Sequence, residues 1–154
     1  MRWIPIVAAV MLFQSPAVFA GPLPDGGVTV EEVAGVLQDK GYRAEVSTDK
    51  QGDPMILSTT SGFKFRVFFY ECDGKPRCKS IQFSAVFTWK NGSPEKVAAW
   101  NKTKRFGKVY LDEDSDPVVQ MDMDMEHGAT SEAIANNMER WNAVLAGFVK
   151  YLRE

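Results

Sequence analysis

The chain of 154 residues is 45% hydrophobic, 25% charged and 12% aromatic, with 12 Gly and 8 Pro, the make-up of one ordinary globular domain. Its 18 Lys and Arg against 20 Asp and Glu leave a net charge of -2, so the positive field of a sequence-independent nucleic-acid binder is missing. One His and two Cys are too few for most zinc sites and His-based catalytic schemes.

Residues 1–20 read as an address. Arg2 forms a short positive start, Trp3 to Phe13 an apolar core, and Gln14, Ser15 and Pro16 break it before Ala17-Val18-Phe19-Ala20. That order is a secretory signal peptide with cleavage expected after Ala20. Two prolines and a glutamine within so short a stretch argue against a retained membrane anchor, and the residue after the cut is Gly21 rather than a lipid-accepting Cys. Export to a bacterial periplasm is the expectation, without stable membrane insertion after cleavage.

Residues 21–27, Gly-Pro-Leu-Pro-Asp-Gly-Gly, carry too much Pro and Gly for regular structure and are expected to be a flexible tail before a domain over residues 28–154. Thr29 caps a helix with Glu32 completing a capping box. Val30, Val33, Ala34 and Leu37 make its apolar stripe and Gly41 its stop. Tyr42 to Thr48 and Met55 to Thr60 read as strands about the turn Lys50 to Pro54. Two longer strands follow: Phe63 to Tyr70, with Phe63, Phe65, Val67 and Phe69 on one face, and Ser80 to Trp89, with Ile81, Phe83, Ala85, Phe87 and Trp89 on one face and Gln82, Ser84 and Thr88 opposite. Cys72 and Cys78 flank the turn between them. In an oxidising compartment their default is a disulfide; a redox pair is more commonly C-x-x-C opening a helix, and a metal site needs further soft ligands.

Ser93 and Pro94 open a second helix that runs to about Arg105 before Gly107. Lys108 to Asp112 and Val118 to Met125 are strands about an acidic turn. Thr130 or Ser131 caps a last helix whose apolar positions Ile134, Met138, Trp141, Leu145, Phe148 and Leu152 share a face. The order predicts an α+β domain, an antiparallel sheet of about six strands covered by three helices.

Several clusters invite a chemical reading. Asp112, Asp114 and Asp116 start like a calcium loop, but Pro117 stands where the loop needs Gly and Met123 where it needs Glu. Asp122 and Asp124 share a strand face with Gln120, opposite Met121, Met123 and Met125; the five carboxylates form a weak candidate cation site beside the commoner readings, an ordinary acidic hairpin turn for Asp112, Asp114 and Asp116 and a solvated face for Asp122 and Asp124. The methionine row reads as core filling before copper binding. Lys102, Lys104 and Arg105, with Trp100 and Asn101, form a candidate partner-binding patch; cations near a helix C-terminus are also favoured by the helix itself. Asn101 could project outward or hold a turn, and His127 reads as exposed loop. No nucleophile elbow, P-loop or dinucleotide fingerprint occurs after residue 20. Neither a cofactor nor a catalytic set is predicted, and no enzyme.

Four segments carry a resemblance: Phe68-Phe69-Tyr70-Glu71-Cys72; Cys78 with Ser80 to Phe87; Trp100 to Gly107; and Tyr110-Leu111-Asp112 with Asp116-Pro117-Val118 and Met121 to Asp124. Over roughly residues 28 to 150 the chain resembles the YbjN-domain family, bacterial proteins labelled sensory transduction regulators. The resemblance implies a fold similar to type III secretion chaperones and a regulatory or chaperone-like role that binds another protein, with a homodimer compatible. It brings no catalytic residues. The competing expectation is a small-ligand or metal-binding module on the acidic strand and turn.

Overall fold

A computed structural model describes residues 21–153, apart from 75, 90, 91 and 128; the signal-peptide expectation lies outside the described residues. Six strands form one antiparallel sheet: β1 (Arg43–Thr48), β2 (Pro54–Thr60), β3 (Phe63–Tyr70), β4 (Ser80–Val86), β5 (Lys108–Leu111) and β6 (Pro117–Asp124). Their spatial order is β1-β2-β3-β4-β6-β5, so the last hairpin folds back with β6 against β4 and leaves β5 at the edge. Helices α1 (Val30–Asp39), α2 (Pro94–Thr103) and α3 (Ser131–Leu152) complete the α+β fold.

Each helix begins as its first residues dictate. Thr29 Oγ1 accepts the Glu32 N–H at 3.2 Å while the Glu32 carboxylate accepts the Thr29 N–H at 2.9 Å, the reciprocal capping box. Ser93 caps α2 with Pro94 at its first position, and Thr130 rather than Ser131 caps α3. Gly41, at φ 81°, follows the end of α1.

Alternation along the strands sends Ile56, Phe65, Val67, Phe69, Ile81, Phe83, Ala85, Val119 and Met121 to one face, where they meet Val33 and Leu37 of α1, Trp100 of α2 and Ile134, Met138, Trp141, Leu145 and Phe148 of α3 in one core. Trp141 is wholly buried between Phe65 and Phe83, at centroid distances of 6.0 and 5.8 Å. Phe148 carries the packing to Phe87, at 5.4 Å, and to Trp100, at 5.0 Å. The methionine row belongs to this core, with Met121 and Met125 buried and Met123 packed against it. The opposite face of the sheet carries no helix. It presents Leu57, Arg66, Ser84, Gln120 and Lys108 in one cross-strand row.

Two sequence expectations change. Strand β4 stops at Val86 instead of Trp89 because its partner begins at Pro117, which has no N–H to continue the ladder. Phe87 N–H donates to the Pro117 carbonyl at 3.0 Å and the chain leaves the sheet. Trp89 turns back over Phe148 and Tyr151. The segment 21–27, expected to be a flexible tail, is irregular but held along its length. Pro22 bridges Thr130, Leu23 N–H donates to the Ala129 carbonyl at 3.0 Å, and Gly26 N–H donates to the Glu126 carbonyl at 3.3 Å. Nonlocal backbone pairing, invisible in local composition, overrides its Pro and Gly content.

Candidate functional site

The cysteine loop is a clamp on the N-terminal segment. Cys72 and Cys78 are joined in a disulfide, and Cys78 also exchanges two backbone hydrogen bonds with Val28, at 2.8 and 2.9 Å. Arg77, inside the loop, pairs with Glu32 at 3.0 Å and donates to the carbonyls of Pro24 and Gly27. One guanidinium thus ties the disulfide loop, the capping box of α1 and the N-terminal segment, a use of its rigid fork that Lys could not reproduce. Gly27, at φ 107°, admits this approach: a Cβ there would lie 2.2 Å from the Cys78 carbonyl oxygen.

The acidic candidates also resolve into turn chemistry. Asp112 Oδ1 accepts the N–H groups of Asp114, at 3.1 Å, and Asp116, at 2.8 Å, while Asp116 Oδ1 accepts Trp89 N–H at 3.2 Å. The hairpin at the other side of the sheet repeats the device: Asp49 Oδ1 accepts the N–H groups of Gln51 and Asp53 at 2.8 and 2.9 Å. Both loops read Asp-x-x-x-Asp-Pro, Asp49 to Pro54 and Asp112 to Pro117. Each carries a positive φ at the fourth position, Gly52 at 91° and Ser115 at 64°. The repetition is visible in the sequence and marks Asp112 and Asp116 as turn formers. Asp124 Oδ1 accepts Glu126 N–H at 2.8 Å. Among the described residues no three His, Cys, Asp or Glu stand together as metal ligands. His127 is exposed, as expected.

The patch at the end of α2 divides, with its tryptophan turned inward and its basic residues exposed. Trp100 is 2% exposed, its indole N–H donates to the Gly107 carbonyl at 3.0 Å, and Lys104 lies over its ring at 5.4 Å. Gly107 is required here: its φ is 75° and a Cβ would meet Val144 at 2.5 Å. Asn101 resolves its two readings by holding the turn. Its side-chain amide donates to the Val109 carbonyl at 2.8 Å and its oxygen accepts Val109 N–H at 2.9 Å, so it pairs with the outward edge of β5 like a strand one residue long. Arg105 lies over Phe106 at 5.3 Å, with Arg140 on the same ring at 4.6 Å. Trp100 is thus an anchor of the core and Asn101 an edge cap, while Lys102, Lys104 and Arg105 are exposed.

What the sequence left unassigned is the helix-free face. Across its β4–β6 half runs a connected polar network: the Tyr70 hydroxyl donates to Gln82 Oε1 at 3.4 Å, Gln82 Nε2 donates to Asp122 Oδ1 at 2.6 Å, and Asp122 Oδ2 pairs with Lys108 at 3.6 Å. Desolvation, and then the Asp122 carboxylate, raise the Tyr70 phenol above its usual 10.0. Gln82 and Ser84, expected on a solvated face, are 8% and 6% exposed. Tyr70, Val86 and Tyr110 stay open to solvent at 45%, 47% and 41%.

The β1–β4 half differs. A groove of about 390 Å³ lies there, lined by Arg43 and Glu45 of β1, Leu57 of β2, Lys64 and Arg66 of β3, and Val86 of β4. Arg43 and Glu45 pair at 2.6 Å, both well exposed; Lys64 and Arg66 make no ion pair among the described residues. Ser58 and Thr59 also line the groove, and among the described residues no three His, Cys, Asp or Glu stand together as metal ligands. The groove can bind, through charge and apolar contact.

A six-stranded antiparallel sheet with its helices packed on one face and the other face open defines an α+β domain. Residues 29–154 match the model of the family described as "YbjN: Putative bacterial sensory transduction regulator", and the chain belongs to that family. No curated protein and no solved structure matches it.

Proposed function

We propose that this chain is an exported, non-catalytic regulatory module that binds another protein through the helix-free face of its sheet. The carrying observation is that face: Tyr70, Val86 and Tyr110 stand exposed on it while every helix packs on the other side. Exposed aromatic and apolar side chains on an uncovered sheet face are a signature of an interaction site. The family's description as a regulator supports the role. Export is supported by the signal-like residues 1–20 and by the disulfide, a bond that persists in oxidising compartments. Among the described residues no helix is long and apolar enough to cross a membrane.

A photo-crosslinking side chain placed at Val86, and separately at Lys102 on α2, tests the reading in the exported fraction of a bacterial host. A discrete protein adduct from Val86 and none from Lys102 is expected. No adduct from Val86, or equal adducts from both, overturns the proposed face. The same fraction yields the N-terminus by mass spectrometry: a chain beginning at Gly21 supports export with cleavage, and a chain retaining residues 1–20 overturns it.

A further inference from the structure

We infer that the groove on the β1–β4 half of the open face takes an extended, acidic segment of polypeptide laid along β3, with carboxylates at alternate positions over Lys64 and Arg66. The inference deepens the proposed protein-binding role and rests on it. Three observations support it together.

The charge is unbalanced where it matters. The chain as a whole is negative, at -2, yet the groove holds Arg43, Lys64 and Arg66 against Glu45 alone. Glu45 is already occupied by Arg43. On the β6 side of the same face Asp122 is neutralised by Lys108 and hydrogen-bonded by Gln82, and Asp124 caps Glu126 N–H beyond the groove, so the unmatched charge of the groove is positive and lies on β3.

The spacing suits an extended chain. Lys64 and Arg66 are two residues apart on one strand, both exposed and both facing away from the helices. Two residues of β-strand advance about 6.8 Å, and so do residues i and i+2 of any extended peptide. A segment running along β3 therefore sets alternate carboxylates over successive cations in register; a helical ligand, with neighbours at i and i+4, does not.

The walls favour a polypeptide side chain over a bare ion. Leu57 stands across from Arg66 in the β2–β3 register, and Val86, half-exposed, closes the β4 side. These apolar surfaces take the methylene stems of Glu and reduce the screening of the ion pairs beside them. The exposed tyrosines that could serve single-stranded nucleic acid as a stacking platform, Tyr70 and Tyr110, do not line the groove, and Phe65 behind it is buried.

The test uses the chain from Gly21 with its disulfide intact and a fluorescently labelled peptide of alternating Glu and Thr, read by anisotropy at low salt. Matched probes are a peptide of alternating Lys and Thr, and oligothymidine. The acidic peptide is expected to bind, to weaken as NaCl is raised, and to lose at least about tenfold in affinity with Lys64→Glu plus Arg66→Glu, the ordinary scale for reversing contacts between close charges. Lys64→Gln plus Arg66→Gln, which keeps both side chains long and polar, is expected to lose a smaller part. Lys102→Glu plus Lys104→Glu at the end of α2 is expected to leave binding unchanged.

Circular dichroism confirms that each variant is folded. Absence of binding, equal binding of the Lys peptide, equal affinity for oligothymidine, or indifference to the β3 substitutions each overturns the inference. Crosslinking at Val86 separates the levels: if the adduct persists while charge reversal has no effect, only the charge rule fails, and if the adduct is lost as well, the protein-binding face fails with it.

Discussion

The two faces of the sheet are made from the same strands and differ in what finishes them. On the covered face every side chain is completed by a helix: Trp141 fits between Phe65 and Phe83, and Phe148 between Phe87 and Trp100. On the open face the strands complete one another across the β4–β6 half through Tyr70, Gln82, Asp122 and Lys108, and leave Lys64 and Arg66 uncompleted on the other. Stability and recognition therefore occupy opposite sides of one layer. A substitution should report which side it touches by whether it changes folding or binding.

The sharpest way to break that division is Trp141→Ala. Removing a wholly buried indole from between two phenylalanines is expected to cost about 3–5 kcal/mol, enough to shift chemical denaturation to much lower urea or to prevent folding. A variant that unfolds at the wild-type midpoint would mean that the helix layer does not hold the sheet.

Next comes the clamp at the N-terminal corner. Cys72→Ser with Cys78→Ser opens a loop with a sequence separation of 6, for which the chain-entropy relation gives about 2 kcal/mol. Thermal unfolding with and without a reductant measures it. The loss should be accompanied by faster amide exchange at Val28, because Cys78 holds that residue by two backbone bonds. Equal unfolding temperatures for the two forms would show that Arg77 and the Val28 bridge hold the corner unaided.

A smaller effect is expected at the β5 edge. Asn101→Ala removes two side-chain bonds to Val109, costing about 1–2 kcal/mol. It also bares backbone donors and acceptors on an edge strand, so self-association should rise with concentration in sedimentation experiments. An Asn101→Ala protein as stable and as monomeric as its parent would make Asn101 a bystander. Against these, Lys64→Gln with Arg66→Gln should change stability by no more than about 0.5 kcal/mol while weakening the acidic peptide, the reverse of the Trp141 result.

Much of the covered face was legible in the sequence, because its rules are local. The capping box Thr29–Glu32, the alternation of Phe63 to Phe69 and the spacing of Ile134 to Phe148 each follow from a few neighbouring residues. The open face was not legible, because it depends on strand order. Placing β6 between β4 and β5 brings Asp122 against Gln82 and Lys108, and nothing in the segment Gln120 to Asp124 announces those partners. Gln82 and Ser84 were expected to be solvated for the same reason: alternation tells which face a residue takes, and the neighbours that shield it come from distant strands. The acidic turn of Asp112, Asp114 and Asp116 was legible as a hairpin turn, and Asp49 to Pro54 shows the same spacing in the same use.

The smallest expected effect sharpens the comparison within the open face. Tyr70 has its phenol raised above 10.0 by desolvation first and by Asp122 second, so the folded protein holds that proton to higher pH than the unfolded chain does. The associated stability is complete below the ordinary tyrosine value and is lost as pH rises through the folded value. Absorbance titration of the phenolate should place one tyrosine above the others in the native protein. Asp122→Asn should bring it part of the way back, leaving the shift that desolvation supplies, whereas Arg66→Gln should move it little, because that cation lies on the half of the face the Tyr70–Gln82–Asp122 network does not reach. A Tyr70 that ignores Asp122→Asn would show that the β4–β6 half is not coupled as its hydrogen bonds require. The contrast between a self-completed half and an open cationic half would then have to rest on charge alone.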